Sequence, residues 1–89
     1  MPTVRVKMFA TVREAAGVAE VELEAVDVWD LLRRLGEMFG PSLSELLEGA
    51  KNGSAVILVN GRNVKFGPGD PVPLQEADDV SIFPPVSGG

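Results

Sequence analysis

Cysteine and histidine are both absent from this chain. That removes the thiolate nucleophile, the usual general base and the commonest metal ligands. The residues that keep chemical promise stand at the carboxyl end, Phe83-Pro84-Pro85-Val86-Ser87-Gly88-Gly89. A terminal glycine has no side chain and adopts backbone angles closed to other residues, so it can enter a channel too narrow for a Cβ. Two prolines directly after Phe83 stiffen the exit from the preceding strand and project the end away from the body. The expectation is a domain over residues 1–83 and a protruding tail over 84–89 whose working group is the Gly89 carboxylate, with Gly88 letting the tip thread into a partner. A frayed terminus is the plainer alternative.

Two aromatic residues flank this feature. In the stretch before Phe9, Val4, Val6 and Met8 alternate with Arg5 and Lys7; before Phe83, Val80 and Ile82 alternate with Ser81. Strand periodicity puts Phe9 and Phe83 on the side away from the apolar residues. Exposed apolar patches mark contact sites and aromatics are enriched at interface hot spots. The alternative is that both rings close the end of the core, where twist weakens strict alternation.

The elements that must position these residues follow from the patterning. Thr3 to Phe9 and Val18 to Glu24 alternate as strands, joined by a loop from Ala10 to Gly17. Asp27 is a helix N-cap, and Val28, Leu31, Leu32, Leu35 and Phe39 form one apolar stripe ended by Gly40-Pro41. Ser42 to Glu45 is a capping-box pattern opening a short second helix that buries Leu43, Leu46 and Leu47. Asn52-Gly53 signals a turn. Ala55 to Val59 is apolar throughout, the pattern of a central strand covered on both faces, or partly so. Asn60-Gly61 is a tight hairpin turn, with Val64 to Phe66 as the return strand. Val72 to Leu74 is a short edge strand, and Val80 to Phe83 the last strand. Strands and helices segregate, so the fold class is α+β. The order fits a β-grasp: a mixed sheet of four to five strands on one main helix plus a short second one.

Composition narrows function. Eighty-nine residues with 45% hydrophobic content make one packed domain. A net charge of −5 disfavours nucleic acid and anionic membranes. Neither a signal-peptide layout nor a run of ~18 apolar residues is present, so a cytoplasmic location is expected. Glu20, Glu22 and Glu24 share one strand face, read as a solvated edge with no metal site. Arg33 and Arg34 read as a solvated helix face, Trp29 as a flank-packing residue and Asp78-Asp79 as turn chemistry. Gly67-Pro68-Gly69 lacks the Lys-Ser/Thr of a phosphate-binding loop.

From end to end the chain resembles the MoaD/ThiS group of ubiquitin-like sulfur carriers, and most of all the molybdopterin synthase small subunit. The resemblance rests on Phe9-Ala10-Thr11-Val12-Arg13-Glu14-Ala15-Ala16-Gly17, on the helix Val28 to Phe39, on Val59-Asn60-Gly61 and above all on Phe83 to Gly89. One turn departs from the pattern: Glu76-Ala77-Asp78-Asp79 stands where the family usually has Gly followed by Asp. The segment from Asn63 through Asp70 resembles longer variants, some of which are archaeal protein modifiers. The resemblance implies a carrier without catalytic side chains of its own and without a bound cofactor. An E1-like adenylating enzyme would use ATP to adenylate Gly89, and sulfur would replace the adenylate to give a thiocarboxylate. The large synthase subunit would then receive the tail for molybdopterin synthesis, with Phe9, Phe83, Pro84, Pro85, Val86 and Ser87 meeting partners. The same tail chemistry would serve a modifier joined to lysines of target proteins, or sulfur supply to another pathway such as thiazole synthesis.

Overall fold

The computed structural model describes residues 1–51, 56–64 and 72–84, without the side chains of 49–51. The elements in chain order are β1 (Thr3–Met8), α1 (Ala10–Ala16), β2 (Glu20–Glu24), α2 (Val28–Phe39), α3 (Pro41–Lys51), β3 (Val56–Val59), β4 (Arg62–Asn63) and β5 (Asp79–Phe83). They build the expected β-grasp arrangement. A five-stranded sheet runs in the order β2-β1-β5-β3-β4. β1 pairs antiparallel with β2 and parallel with β5, and β3 pairs antiparallel with both β5 and β4.

One face of the sheet is apolar and carries the helices. Val4, Val6 and Met8 of β1, Ile57 of β3, and Val80 and Ile82 of β5 are buried there against Val28, Leu31, Leu32 and Leu35 of α2. α2 starts where expected: Asp27 Oδ1 accepts from the Asp30 N–H at 2.7 Å, satisfying an otherwise orphaned amide. Its carboxylate neighbour Asp30 accepts from Val26 N–H and pairs with Arg33 at 2.8 Å and Arg34 at 3.0 Å. Burial raises the Asp30 carboxyl, but the Val26 amide and the two guanidinium groups outweigh it and leave the group below its ordinary value. Arg33 and Arg34, expected on a solvated face, are therefore tied to their own helix, and Arg33 also pairs with Glu37. Gly40 ends α2 at φ 98°, and Leu43 and Leu47 of α3 join the core. Gly36 lies inside α2 because a Cβ there would sit 3.2 Å from Ser44 Oγ on α3.

Several expectations change. Ala10 to Gly17 is not a loop: Ala10–Ala16 is a helix, favoured by its alanines and held by buried Val12, with Gly17 as a left-handed cap. The second helix is neither short nor opened by the Ser42 capping box; it begins at Pro41, whose fixed φ suits a first helical position. Within it Leu46 is only half-buried. β2 begins at Glu20 rather than Val18, and β1 stops at Met8. β4 is Arg62–Asn63, so the return strand begins two residues before the expected Val64, whose own N–H bonds to Ile57 O. Val72 to Leu74 forms no strand. It makes one bridge, Asp27 to Pro73, at the start of α2, because Pro73 offers no N–H to a ladder. The Asn52-Gly53 turn, Ala55, and the expectations on residues 65–71 lie outside the described residues.

Asn60 and Gly61 both take positive φ, 52° and 83°, the requirement of the expected two-residue turn. The Asn60 side chain also donates to Asp78 Oδ1 and accepts from Asp79 N–H, each at 2.9 Å. It thus ties the β3–β4 hairpin to the turn that launches β5. Asp78 serves that turn from within, accepting from Gln75 N–H at 2.8 Å.

Candidate functional site

The parallel register of β1 and β5 sets Met8 beside Ile82, both pointing into the core. The next residues in step are Phe9 and Phe83, so both rings emerge on the face opposite the helices. Phe9 N–H donates to Ile82 O at 3.2 Å, which holds the two strand ends together. The rings stack with centroids 4.4 Å apart and planes 6° from parallel. Phe9 is 37% exposed and Phe83 is half-buried. Directly after Phe9 the chain bends away into α1 through Ala10 at φ 52°. Directly after Phe83 comes Pro84, half-buried and the last described residue before the C-terminal segment. The aromatic pair therefore stands where the chain leaves the sheet for its final residues.

Two further side chains extend this surface. Val56 lies opposite Phe83 and Leu58 opposite Ser81, and opposed residues share a face of an antiparallel pair. Both are half-buried and neither belongs to the core cluster, unlike Ile57 between them. The sequence reading missed them because a run of apolar residues hides its own alternation. The unbroken run is read as a strand covered on both faces or partly so, and β3 is partly covered: one face meets the core and the other carries part of the apolar patch. The available signal was the pairing with β5, which only the fold supplies.

Charge is graded across the same face. Arg5 and Lys7 of β1 come next to Asp79 and Ser81 of β5, and the Glu row of β2 comes last. Arg5 lies 3.6 Å from both Glu20 and Glu22. Among the described residues no group of three or more acidic side chains is placed to hold a metal ion. Pro85, Val86, Ser87, Gly88 and Gly89 lie outside the described residues.

A sequence model of the ThiS family matches residues 6–89. The chain belongs to the ThiS family. An Archaeoglobus fulgidus protein named as a candidate sulfur carrier is 32% identical over 88 residues, covering 97% of this chain and 98% of that one. The solution structure of small archaeal modifier protein 1 from Methanosarcina acetivorans matches with a TM-score of 0.82 at 38% identity, over 100% of this chain and 98% of that one. The structure of the complex of subunits 1 and 2 of molybdopterin-converting factor from Helicobacter pylori contains a chain that matches with a TM-score of 0.67 at 28% identity, over 98% of this chain and 99% of that one. This ThiS-family chain is thus a ubiquitin-like β-grasp protein of the sulfur-carrier and small-modifier type. Its β1–α1 corner, α2, β3–β4 hairpin and the end of β5 carry the described part of the residues that bear the resemblance. No helix among the described residues is long and apolar enough to cross a membrane.

Proposed function

We propose that the chain carries sulfur as a C-terminal thiocarboxylate on Gly89 and donates it to molybdopterin synthesis as the small subunit of the synthase. The observation that carries this reading is the stacked Phe9–Phe83 pair, with Val56 and Leu58 beside it, at the root of a Gly-Gly ending. An exposed aromatic cluster there grips a partner at the point from which the tail can reach a buried active centre. Gly88 leaves the tip thin, and Pro84, Pro85, Val86 and Ser87 form the stem that a partner channel encloses.

The chemistry needs no side chain of this chain. A carboxylate is a poor electrophile. An E1-like enzyme joins a Gly89 carboxylate oxygen to the α-phosphate of ATP and releases pyrophosphate. Hydrosulfide released by a donor then attacks the carbonyl carbon, AMP leaves with the electron pair of the carbon–oxygen bond, and loss of the S–H proton gives the thiocarboxylate. At neutral pH that group is ionised and nucleophilic, as thiolates are. The large subunit contributes the catalytic side chains that pass two sulfurs to a pterin precursor: each thiocarboxylate sulfur bonds to the precursor, and water cleaves the acyl–sulfur bond, leaving a Gly89 carboxylate to be recharged.

The test is reconstitution: the thiolated chain, the large synthase subunit and the pterin precursor are combined, and dithiolene product is measured. Product proportional to thiolated chain supports the reading; none, with a competent control carrier giving product, rejects it. The likeness to an archaeal modifier protein favours a second use, in which a lysine amine of a target displaces AMP to form an isopeptide. Gly-Gly remnants on target lysines that vanish on deletion of Gly89 identify that use.

A further inference from the structure

Half of the cationic side chains among the described residues of this acidic chain are neutralised within it. Arg5 is shared by Glu20 and Glu22, and Arg33 and Arg34 are held by Asp30. Among the described residues Lys7, Arg13 and Arg62 have no such ion pair. Arg62 lies on β4, at one edge of the sheet. Lys7 and Arg13 converge instead on an open cleft of about 260 Å³ between β1, α1 and the start of β2, where Met8, Phe9, Ala19 and Glu20 complete the lining. Phe9 belongs both to this cleft and to the aromatic pair, so the cleft continues the apolar patch without a break. The acid in its lining, Glu20, already lies 3.6 Å from Arg5.

We propose that this cleft receives an acidic side chain of the enzyme that activates the tail, and so adds charge selection to the apolar grip. The proposal rests on the reading that Gly89 is adenylated. With a net charge of −5, the chain as a whole repels acidic surfaces. Lys7 and Arg13 stand against one acid in the lining, Glu20, which lies opposite Lys7 across the strands, and so reverse that sign at one place. A carboxylate entering there meets an ammonium and a guanidinium at the rim of a desolvated aromatic contact, where charge complementarity sets register and encounter rate. The activating enzyme is the partner that both sulfur carriage and protein modification require, since either use begins with the adenylate.

The experiment measures ATP-dependent adenylation of the full chain by its E1-like enzyme, as pyrophosphate release, at low and at raised salt. The chains compared are wild type, Lys7→Glu, Arg13→Glu, the neutral pair Lys7→Gln and Arg13→Gln, and Arg62→Glu as a matched charge reversal outside the cleft. The cleft reversals are expected to raise KM about tenfold or more at low salt with kcat little changed. The neutral variants should fall between, and raised salt should narrow the gaps. Arg62→Glu should stay within about twofold of wild type, as rim charges remote from a contact do. Circular dichroism of each variant checks that the fold is kept. If wild type is adenylated and the cleft reversals match Arg62→Glu at both salts, the charge pocket is refuted while tail activation stands. If wild type is not adenylated by an enzyme that charges its own control carrier, the proposed function falls and takes this inference with it.

Discussion

Ala77 holds φ 68° in the turn from Gln75 to Asp78, where Asp78 N–H bonds to Gln75 O at 3.1 Å. A left-handed residue at that position is normally glycine, because the Cβ of an L-residue crowds the following carbonyl at a cost of roughly 1–2 kcal/mol. The turn persists because Ala77 N–H also bonds to Thr3 O at 2.8 Å and Thr3 N–H to Glu76 Oε1 at 2.9 Å, which over-determine it. Ala77→Gly is therefore expected to stabilise the domain by about 0.5–1 kcal/mol in urea unfolding, the relief of strain exceeding the added unfolded-state entropy. Asp30 makes the second prediction. Its folded value lies below the ordinary 3.8, so its contribution is complete above that value and is lost as pH falls through the lower, folded one. Unfolding measured from neutral pH downward should show a larger acid loss in wild type than in Asp30→Asn. At neutral pH the variant should be less stable by about 1–2 kcal/mol, since the Val26 amide and both guanidinium groups lose their acceptor charge.

The β3–β4 hairpin separates turn chemistry from tertiary clamping. A bare type I′ turn would accept Asn60→Gly with little change. The two side-chain bonds from Asn60 to the Asp78–Asp79 segment predict a loss of about 1–2 kcal/mol instead, read by chemical denaturation. How much of each element could be read beforehand follows from its period. β1 and β5 were legible because Val4, Val6, Met8, Val80 and Ile82 alternate with polar neighbours, and α2 because its stripe and Asp27 cap agree. α1 was not legible: one apolar anchor, Val12, in a seven-residue helix defines no period. The outward side of β3 was hidden by unbroken apolarity. The parallel pairing of β1 with β5, which brings Phe9 to Phe83, joins residues far apart in the chain and has no local signature. Their shared face was readable from alternation; their contact was not.

Taken together, the sheet divides the labour of the domain. One face, with α2 and α3, supplies cohesion; the other, bearing Phe9, Phe83, Val56 and Leu58, is free of that duty. Substitutions on the two faces should therefore separate stability from association. Leu35→Ala, in the core, is expected to cost about 2–5 kcal/mol. Phe9→Ala should cost well under that in stability yet weaken association with the activating enzyme about tenfold or more, as measured by calorimetric titration. The proposed function requires the carboxyl group of Gly89 to be the reacting group. Intact-mass spectrometry of the chain coexpressed with its adenylating enzyme and a sulfur donor reads that requirement. The expected result is a species heavier by the exchange of one oxygen for one sulfur, localised to Gly89 and absent from a chain ending at Gly88. A mass unchanged in the presence of an active enzyme and donor, or a sulfur found anywhere but the last residue, would contradict it.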